Sequence, residues 1–218
     1  MKSFVIIGLG RFGNAVAREL YKRGNEVLAI DMDEDAVQRI ADFVTHAVVG
    51  DAKDENVLRS IGVRNFDCAI VAIASDIQDS VLVTLMLKEM GVKFVIGKAQ
   101  SQLHSKVLQR IGADKVVFPE DDMGNRLAQT LSSSNVIDFI ELSQDFSIVE
   151  INPPQSWLDK TLKELSVRAQ FGINVLAVRG EGHKIVTISP TADQVIHPGD
   201  VLIVIGANDD IERLGNLR

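Results

Sequence analysis

Val5-Ile6-Ile7-Gly8-Leu9-Gly10-Arg11-Phe12-Gly13 is the stretch from which the fold can be read. A short β-branched run ends in three glycines at Gly-x-Gly-x-x-Gly spacing, and a helical pattern follows, with Ala15 and Leu20 among its apolar positions. The first glycine permits a tight turn out of the strand. The second lets backbone approach a phosphate, and the third lets helix and sheet pack closely. A helix that starts there offers unpaired N–H groups to an anion. Asp31 stands 18 residues after Gly13, at the end of the next strand-like run, where a carboxylate accepts hydrogen bonds from ribose hydroxyls. Together these residues imply an adenine-nucleotide site. Asp31 and Asp33 would repel a 2′-phosphate, so NADP fits poorly.

The pattern repeats outward from this motif. Strand-like runs fall at residues 4–7, 26–30, 46–49, 68–72, 94–98 and 115–118, separated by helical stretches such as the one carrying Val81, Leu82 and Leu85. Runs that are apolar throughout point to strands buried on both faces, as in a parallel sheet covered by helices. About six such units predict an α/β, doubly wound Rossmann-type sheet rather than a barrel, which needs about eight. After Phe118 the rhythm changes. Pro119 ends the last strand, residues 123–131 read as a crossover helix, and residues 136–142 read as a second short helix.

From Ser143 onward the chain is strand-rich, with runs at 146–151, 174–179, 184–189 and 201–206 and turn chemistry between them. Leu158, Leu162 and Leu165 place an apolar stripe on one short helix, and residues 209–214 read as another, with Asn208 as its N-cap. The organisation expected is a nucleotide-binding domain with crossover helix at 1–134, a helical linker at 135–142, and a small α+β domain at 143–218.

Composition excludes several functions. The net charge of −7 over 218 residues, with no basic cluster, disfavours nucleic acid and anionic lipid. No apolar run reaches the roughly 20 residues of a membrane-spanning helix, and the N-terminal run is too short for a signal peptide. Cys68 is the single cysteine, which excludes an internal disulfide or a cysteine zinc cage. These features predict a cytoplasmic protein whose membrane association comes through a partner.

Other residues face the same crevice. Asp51, in Gly50-Asp51-Ala52, suits either an adenine or ribose contact or a turn; Ala52, Ala74 and Ser75 follow strand ends on that edge. Lys98 ends the fifth strand as either a phosphate partner or a solvated lysine. Arg11 either reads a terminal phosphate, separating triphosphate from diphosphate, or neutralises the pyrophosphate. An oxidoreductase needs a proton-transfer group beside the cofactor. Tyr21 is followed four residues later by Asn25 rather than lysine, and His46, His104, His183 and His197 are scattered. Cys68 sits in an apolar strand and reads as core. A redox-sensing repressor would need a basic winged helix, which is absent.

Four stretches carry a family resemblance: residues 5–13, His46-Ala47-Val48-Val49-Gly50-Asp51-Ala52, the run from Ile111-Gly112-Ala113-Asp114 to Phe118-Pro119-Glu120, and Pro198-Gly199-Asp200-Val201-Leu202. In this order they resemble the regulatory subunit of a Trk/Ktr-type potassium uptake system, with an N-terminal RCK (KTN) domain and a C-terminal RCK-C (TrkA-C) domain. The arginine after the second glycine is typical of the Ktr branch. The resemblance implies homodimers assembled into an octameric ring beneath a membrane-embedded potassium-translocating subunit. It implies activation by ATP and inactivation by ADP, with NAD(H) able to occupy the same cleft in relatives. Carried over by position, Gly8, Gly10, Arg11, Gly13, Asp31, Asp51 and Lys98 become nucleotide contacts; Phe12, Asp33, Ala52, Ala74 and Ser75 complete the expected cofactor-binding set. Glu120 matches an acidic residue that helps hold a cation at the dimer interface, or is an N-terminal helix charge. Arg168, Phe171, Ile173, Asn174 and Pro190 fall where many relatives bind cyclic di-AMP, or form a helix-to-strand connection. The alternative is the same fold regulating a different cation channel or exchanger.

Overall fold

The computed structural model describes residues 1–73, 76–132, 135–143, 145–180, 182 and 186–215. The six apolar runs form β1 (Ser3–Ile7), β2 (Glu26–Asp31), β3 (His46–Val49), β4 (Cys68–Val71), β5 (Val95–Lys98) and β6 (Lys115–Val117). All pair in parallel in the order β3-β2-β1-β4-β5-β6. The crossovers carry α1 (Arg11–Lys22), α2 (Glu34–Ile40), α3 (Glu55–Ser60), α4 (Ile77–Glu89) and α5 (Gln102–Arg110).

Both faces of the sheet are covered, as the unbroken apolar runs require. Val5 and Ile7 enter one core cluster with Ile30, Val71, Val83 and Leu87. Ile6, between them, enters the opposite cluster with Ala17, Val27, Ala29 and Ile40. Successive residues of β1 thus feed opposite layers, the period-two consequence of strand geometry. Strand order reverses between β1 and β4, and a doubly wound sheet opens its ligand crevice at such a reversal.

The chain divides into two compact units, Met1–Glu120 and Asp121–Arg218. The division falls inside α6 (Pro119–Ser132), which begins four residues before the expected helix because Pro119 occupies its first position. Proline loses nothing there, since that N–H has no helical partner. The second unit contains a five-stranded antiparallel sheet, β10-β9-β11-β8-β7, made from β7 (Val136–Glu141), β8 (Phe146–Ile151), β9 (Asn174–Arg179), β10 (Val186–Ile188) and β11 (Val201–Ala207). Around it lie α7 (Leu162–Leu165), α8 (Val167–Phe171) and α9 (Asn208–Gly215). Val149, Ile151, Trp157, Ile173, Leu202 and Val204 form its core.

Two expectations are corrected here. Residues 136–142, read as helical, contain β7: Val136, Ile137 and Ile140 are β-branched, and Phe139, Ile140 and Glu141 pair with Val149, Ile148 and Ser147 of β8. A run this short cannot be sorted by periodicity alone, and strand pairing decides it. The Leu158–Leu162–Leu165 stripe is also split. Leu158 is extended at the end of a one-turn 3-10 helix (Gln155–Trp157), and only Leu162 and Leu165 lie on α7. Thr161 ends the extended stretch by capping α7, its hydroxyl accepting the Glu164 N–H while Glu164 accepts the Thr161 N–H.

Candidate functional site

At the strand-order reversal the ends of β1, β2, β3 and β4 enclose a cleft of about 340 Å³. Gly8, Gly10, Ile30, Asp31, Asp33, Asp51 and Ala52 are among its walls. Gly8 has φ +94°, a left-handed conformation that favours glycine, and an added Cβ would stand 3.0 Å from the Ala72 carbonyl carbon. At Gly13 a Cβ would lie 1.9 Å from the Gly8 carbonyl oxygen, so α1 can seat against the turn only without a side chain there. The space a Cβ would take at Gly10 is open for 4 Å. Backbone is therefore bared where a phosphate would approach.

Capping supports the same reading. Asp33, Asp54, Asp76 and Ser101 cap α2, α3, α4 and α5, each accepting a backbone N–H with its side chain. Gly10 gives α1 no side-chain cap, and no acidic residue stands in the first turn. Four of the five crossover helices satisfy their own N-termini; α1 leaves its positive end for something else.

Asp31 has more to do than the sequence indicated. Its Oδ2 accepts the Leu9 N–H at 2.5 Å, its Oδ1 accepts the Asp33 N–H at 3.0 Å, and its carbonyl accepts the Gly50 N–H at 2.9 Å. One residue thus ties together the ends of β1, β2 and β3, and its carboxylate has further lone pairs beyond those two bonds. Asp51 accepts the Lys53 N–H at 2.9 Å, which makes it a turn residue that also faces the cleft.

Lys53 and Asp79 escaped the sequence reading. Both line the cleft, and their side chains meet at 3.1 Å. The Asp79 hydrogen bond and the charges of Asp79, Asp51 and Asp76 hold the Lys53 ammonium above its ordinary pKa. Asp79 lies in the first turn of α4, on the sheet edge where strand ends converge, so topology was the available signal.

The remaining expected contacts lie beside the cleft. Lys98 has a side chain only 9% exposed, and its Nζ is 2.7 Å from Oε1 of Glu120, which is 61% exposed. The ammonium stands 5.8 Å from the centre of the Phe12 ring. The Lys98 hydrogen bond holds the Glu120 carboxyl below the usual range, and the charge of Arg11 adds to it. Lys98, Glu120, Phe12 and Arg11 are thus gathered at the start of α1 and α6. Glu120 already has an ammonium partner, and among the described residues no group of three or more His, Cys, Asp or Glu is placed to hold a metal ion. Ala74 and Ser75 lie outside the described residues.

No described histidine faces the cleft. His46 is exposed, His197 stands 3.9 Å from Asp159 on the surface, and buried His104 accepts the Gln100 N–H at Nδ1. His183 lies outside the described residues. Burial pushes the Cys68 thiol up to about 11, so it remains protonated core.

In the second unit, Arg168, Ile173, Asn174 and Pro190 line one groove of about 360 Å³, with Lys163, Ser166 and Val175. Phe171 is not among its walls. Its ring packs on Trp157, with centroids 4.9 Å apart.

Sequence comparison agrees with this division. The TrkA-N domain family matches residues 4–119, and the TrkA-C domain family matches residues 146–217. Ktr system potassium uptake protein C of Bacillus subtilis is 49% identical over 97% of this chain and 95% of its own length. Ktr system potassium uptake protein A is 44% identical in Bacillus subtilis, over 99% of this chain and 96% of its own, and 37% identical in Vibrio alginolyticus, over 96% and 94%. The solved GsuK RCK domain shares the fold at a TM-score of 0.70 and 19% identity, over 99% of this chain and 48% of that one. Part of GsuK bound to ADP aligns at a TM-score of 0.53 and 28% identity, over 60% of this chain and 34% of that one. The described residues include no helix long and apolar enough to cross a membrane. With a TrkA-N and a TrkA-C domain in order and near-full-length likeness to three Ktr proteins, the chain belongs to the Ktr family of potassium uptake proteins.

Proposed function

We propose that this chain is the cytoplasmic regulatory subunit of a potassium uptake system, that it binds ATP and ADP at the Gly8–Gly13 turn, and that the two nucleotides favour different shapes of a ring lying under a membrane-embedded potassium-translocating partner. The observation that carries the reading is the uncapped start of α1 over open space at Gly10, with Asp31 lining the same cleft. Likeness to potassium uptake proteins supports transport as the output, and the ADP-bound GsuK structure supports an adenine nucleotide as the input. A ligand shifts an equilibrium only by its differential affinity for the two states. Moving a ring from mostly closed to mostly open takes about 5.5 kcal/mol, which several sites can share. Arg11, exposed at the first position of α1, supplies the difference by meeting the third phosphate.

NAD(H) is the alternative occupant: a GsuK channel of the same fold has been solved bound to NAD, and a carboxylate such as Asp31 suits the ribose of either nucleotide. In the second unit, the groove holding Arg168, Ile173, Asn174 and Pro190 is proposed to take cyclic di-AMP, with Arg168 on a phosphate and the apolar residues on adenine. Thermal shift and native mass with ATP, ADP, NADH and cyclic di-AMP, followed by potassium flux with the translocating partner, test the reading. ATP and ADP should stabilise the protein and differ in flux. A protein that ignores every adenylate, or that turns one over with a metabolite, rules the reading out.

A further inference from the structure

Lys98 and Glu120 are unequal partners. The lysine ends a buried strand and has 9% of its side chain exposed, whereas the glutamate is 61% exposed at the second position of α6. Leaving a buried ammonium without a counter-charge is costly, whereas an exposed carboxylate can turn to water at little cost. The lysine therefore gives up one anion at least cost when another takes its place. Its surroundings name the other. Nζ stands 5.8 Å from the Phe12 ring, and Phe12 is the second residue of α1, the helix whose start lacks a cap. Phosphate at that helix start would come within reach of an ammonium that now has a single carboxylate oxygen at 2.7 Å.

We propose that Lys98 exchanges partners, with Glu120 holding it in one state and nucleotide phosphate in the other, so that filling the glycine turn frees the first turn of α6. The inference rests on the nucleotide reading above and adds its coupling step. No bond is made or broken; one ion pair replaces another. The released carboxylate belongs to the helix inside which the two units divide, so the event is read out where the chain passes from one unit to the next.

The full-length protein, titrated with ADP and ATP by calorimetry in EDTA, tests the exchange. Glu120→Gln removes the competitor for Lys98 and should tighten both nucleotides about five- to tenfold, while Asp122→Asn, a neighbouring carboxylate on α6, should change little. Simple repulsion between Glu120 and phosphate would also tighten binding, so the decisive comparison is made in a Lys98→Met background. Exchange predicts that the Glu120→Gln gain vanishes there, and repulsion predicts that it persists. Should Lys98→Met fail to fold, the carboxyl carbon of Glu120 is followed by NMR in the unaltered protein. Its titration, held low by Lys98, should move toward the ordinary carboxylate range on saturation with ADP. Binding unchanged or weakened by Glu120→Gln, a gain that survives Lys98→Met, or a Glu120 titration that stays low with ADP bound overturns the exchange and leaves the nucleotide reading intact. Absence of binding by the unaltered protein removes both.

Discussion

The cleft of the first unit and the groove of the second have similar volumes, about 340 and 360 Å³, and opposite construction. The cleft is made by leaving side chains out: Gly8 and Gly13 let the turn and helix close up, and Gly10 leaves backbone bare. The groove is made by putting side chains in. Arg168, Asn174 and Pro190 project from α8, the start of β9 and a following turn, and the chain is bent to place them by left-handed backbone at Ser166 (φ +46°) and Ser189 (φ +52°). A site built from main chain is intolerant of any added atom and indifferent to much of the surrounding chemistry. A site built from side chains tolerates small additions, and its selectivity rests on which residues stand there.

The contrast can be broken most decisively at Gly13. Gly13→Ala places a carbon 1.9 Å from the Gly8 carbonyl oxygen, backbone that cannot step aside, and should cost about 3 kcal/mol or more in urea unfolding. Gly10→Ala, with open space around it, should stay within about 1 kcal/mol in stability and lose nucleotide affinity instead. Equal losses of stability from the two would remove the distinction between a packing glycine and a phosphate glycine.

In the second unit, Gly206 borders the groove. At Gly206 an added Cβ would stand 2.7 Å from Cγ2 of Ile173, a buried groove residue. Because the obstacle is a side-chain methyl, Gly206→Ala should cost only about 1–2 kcal/mol, with a measurable change in ligand affinity at the groove. A loss as large as that of Gly13→Ala would show that the groove is as rigid as the cleft.

Arg11→Ala sharpens the comparison on the ligand side. Stability should move by less than about 0.5 kcal/mol, and the preference between ATP and ADP should fall about tenfold, read by calorimetry and by flux. An undiminished contrast would transfer phosphate counting to another residue. The smallest effect belongs to Ser166. Ser166→Gly relieves its positive φ and should raise stability by about 0.5 kcal/mol, the relief partly offset by the greater freedom of glycine in the unfolded chain. A clear loss would mean that the Ser166 hydroxyl, which donates to the Lys163 carbonyl at 3.2 Å, matters more than the strain.

The first unit was legible because its information is local. Each strand of the parallel sheet is built on a short apolar run, each crossover carries its own period, and the glycine spacing and Asp31 are read without knowing what touches what. The second unit was less so, because an antiparallel edge strand is defined by its neighbour. Residues 136–142 carry apolar side chains that suit helix or strand, and only pairing with β8 decides between them. Phe171, expected on the groove, instead packs its ring at a tilt on Trp157, a partner 14 residues away that no spacing rule connects to it.

The chain's own order of residues determined the parallel architecture, the glycine turn, the carboxylate beside it and the change of character after residue 118, since each depends on backbone freedom or short-range periodicity. Tertiary structure alone decided that Asp31 also binds three strand ends together, that Lys53 and Asp79 meet at the cleft, and that Lys98 is buried against Glu120. Those facts depend on which strand ends the sheet brings together at one edge. That is a property of topology and burial, and a linear pattern does not carry it.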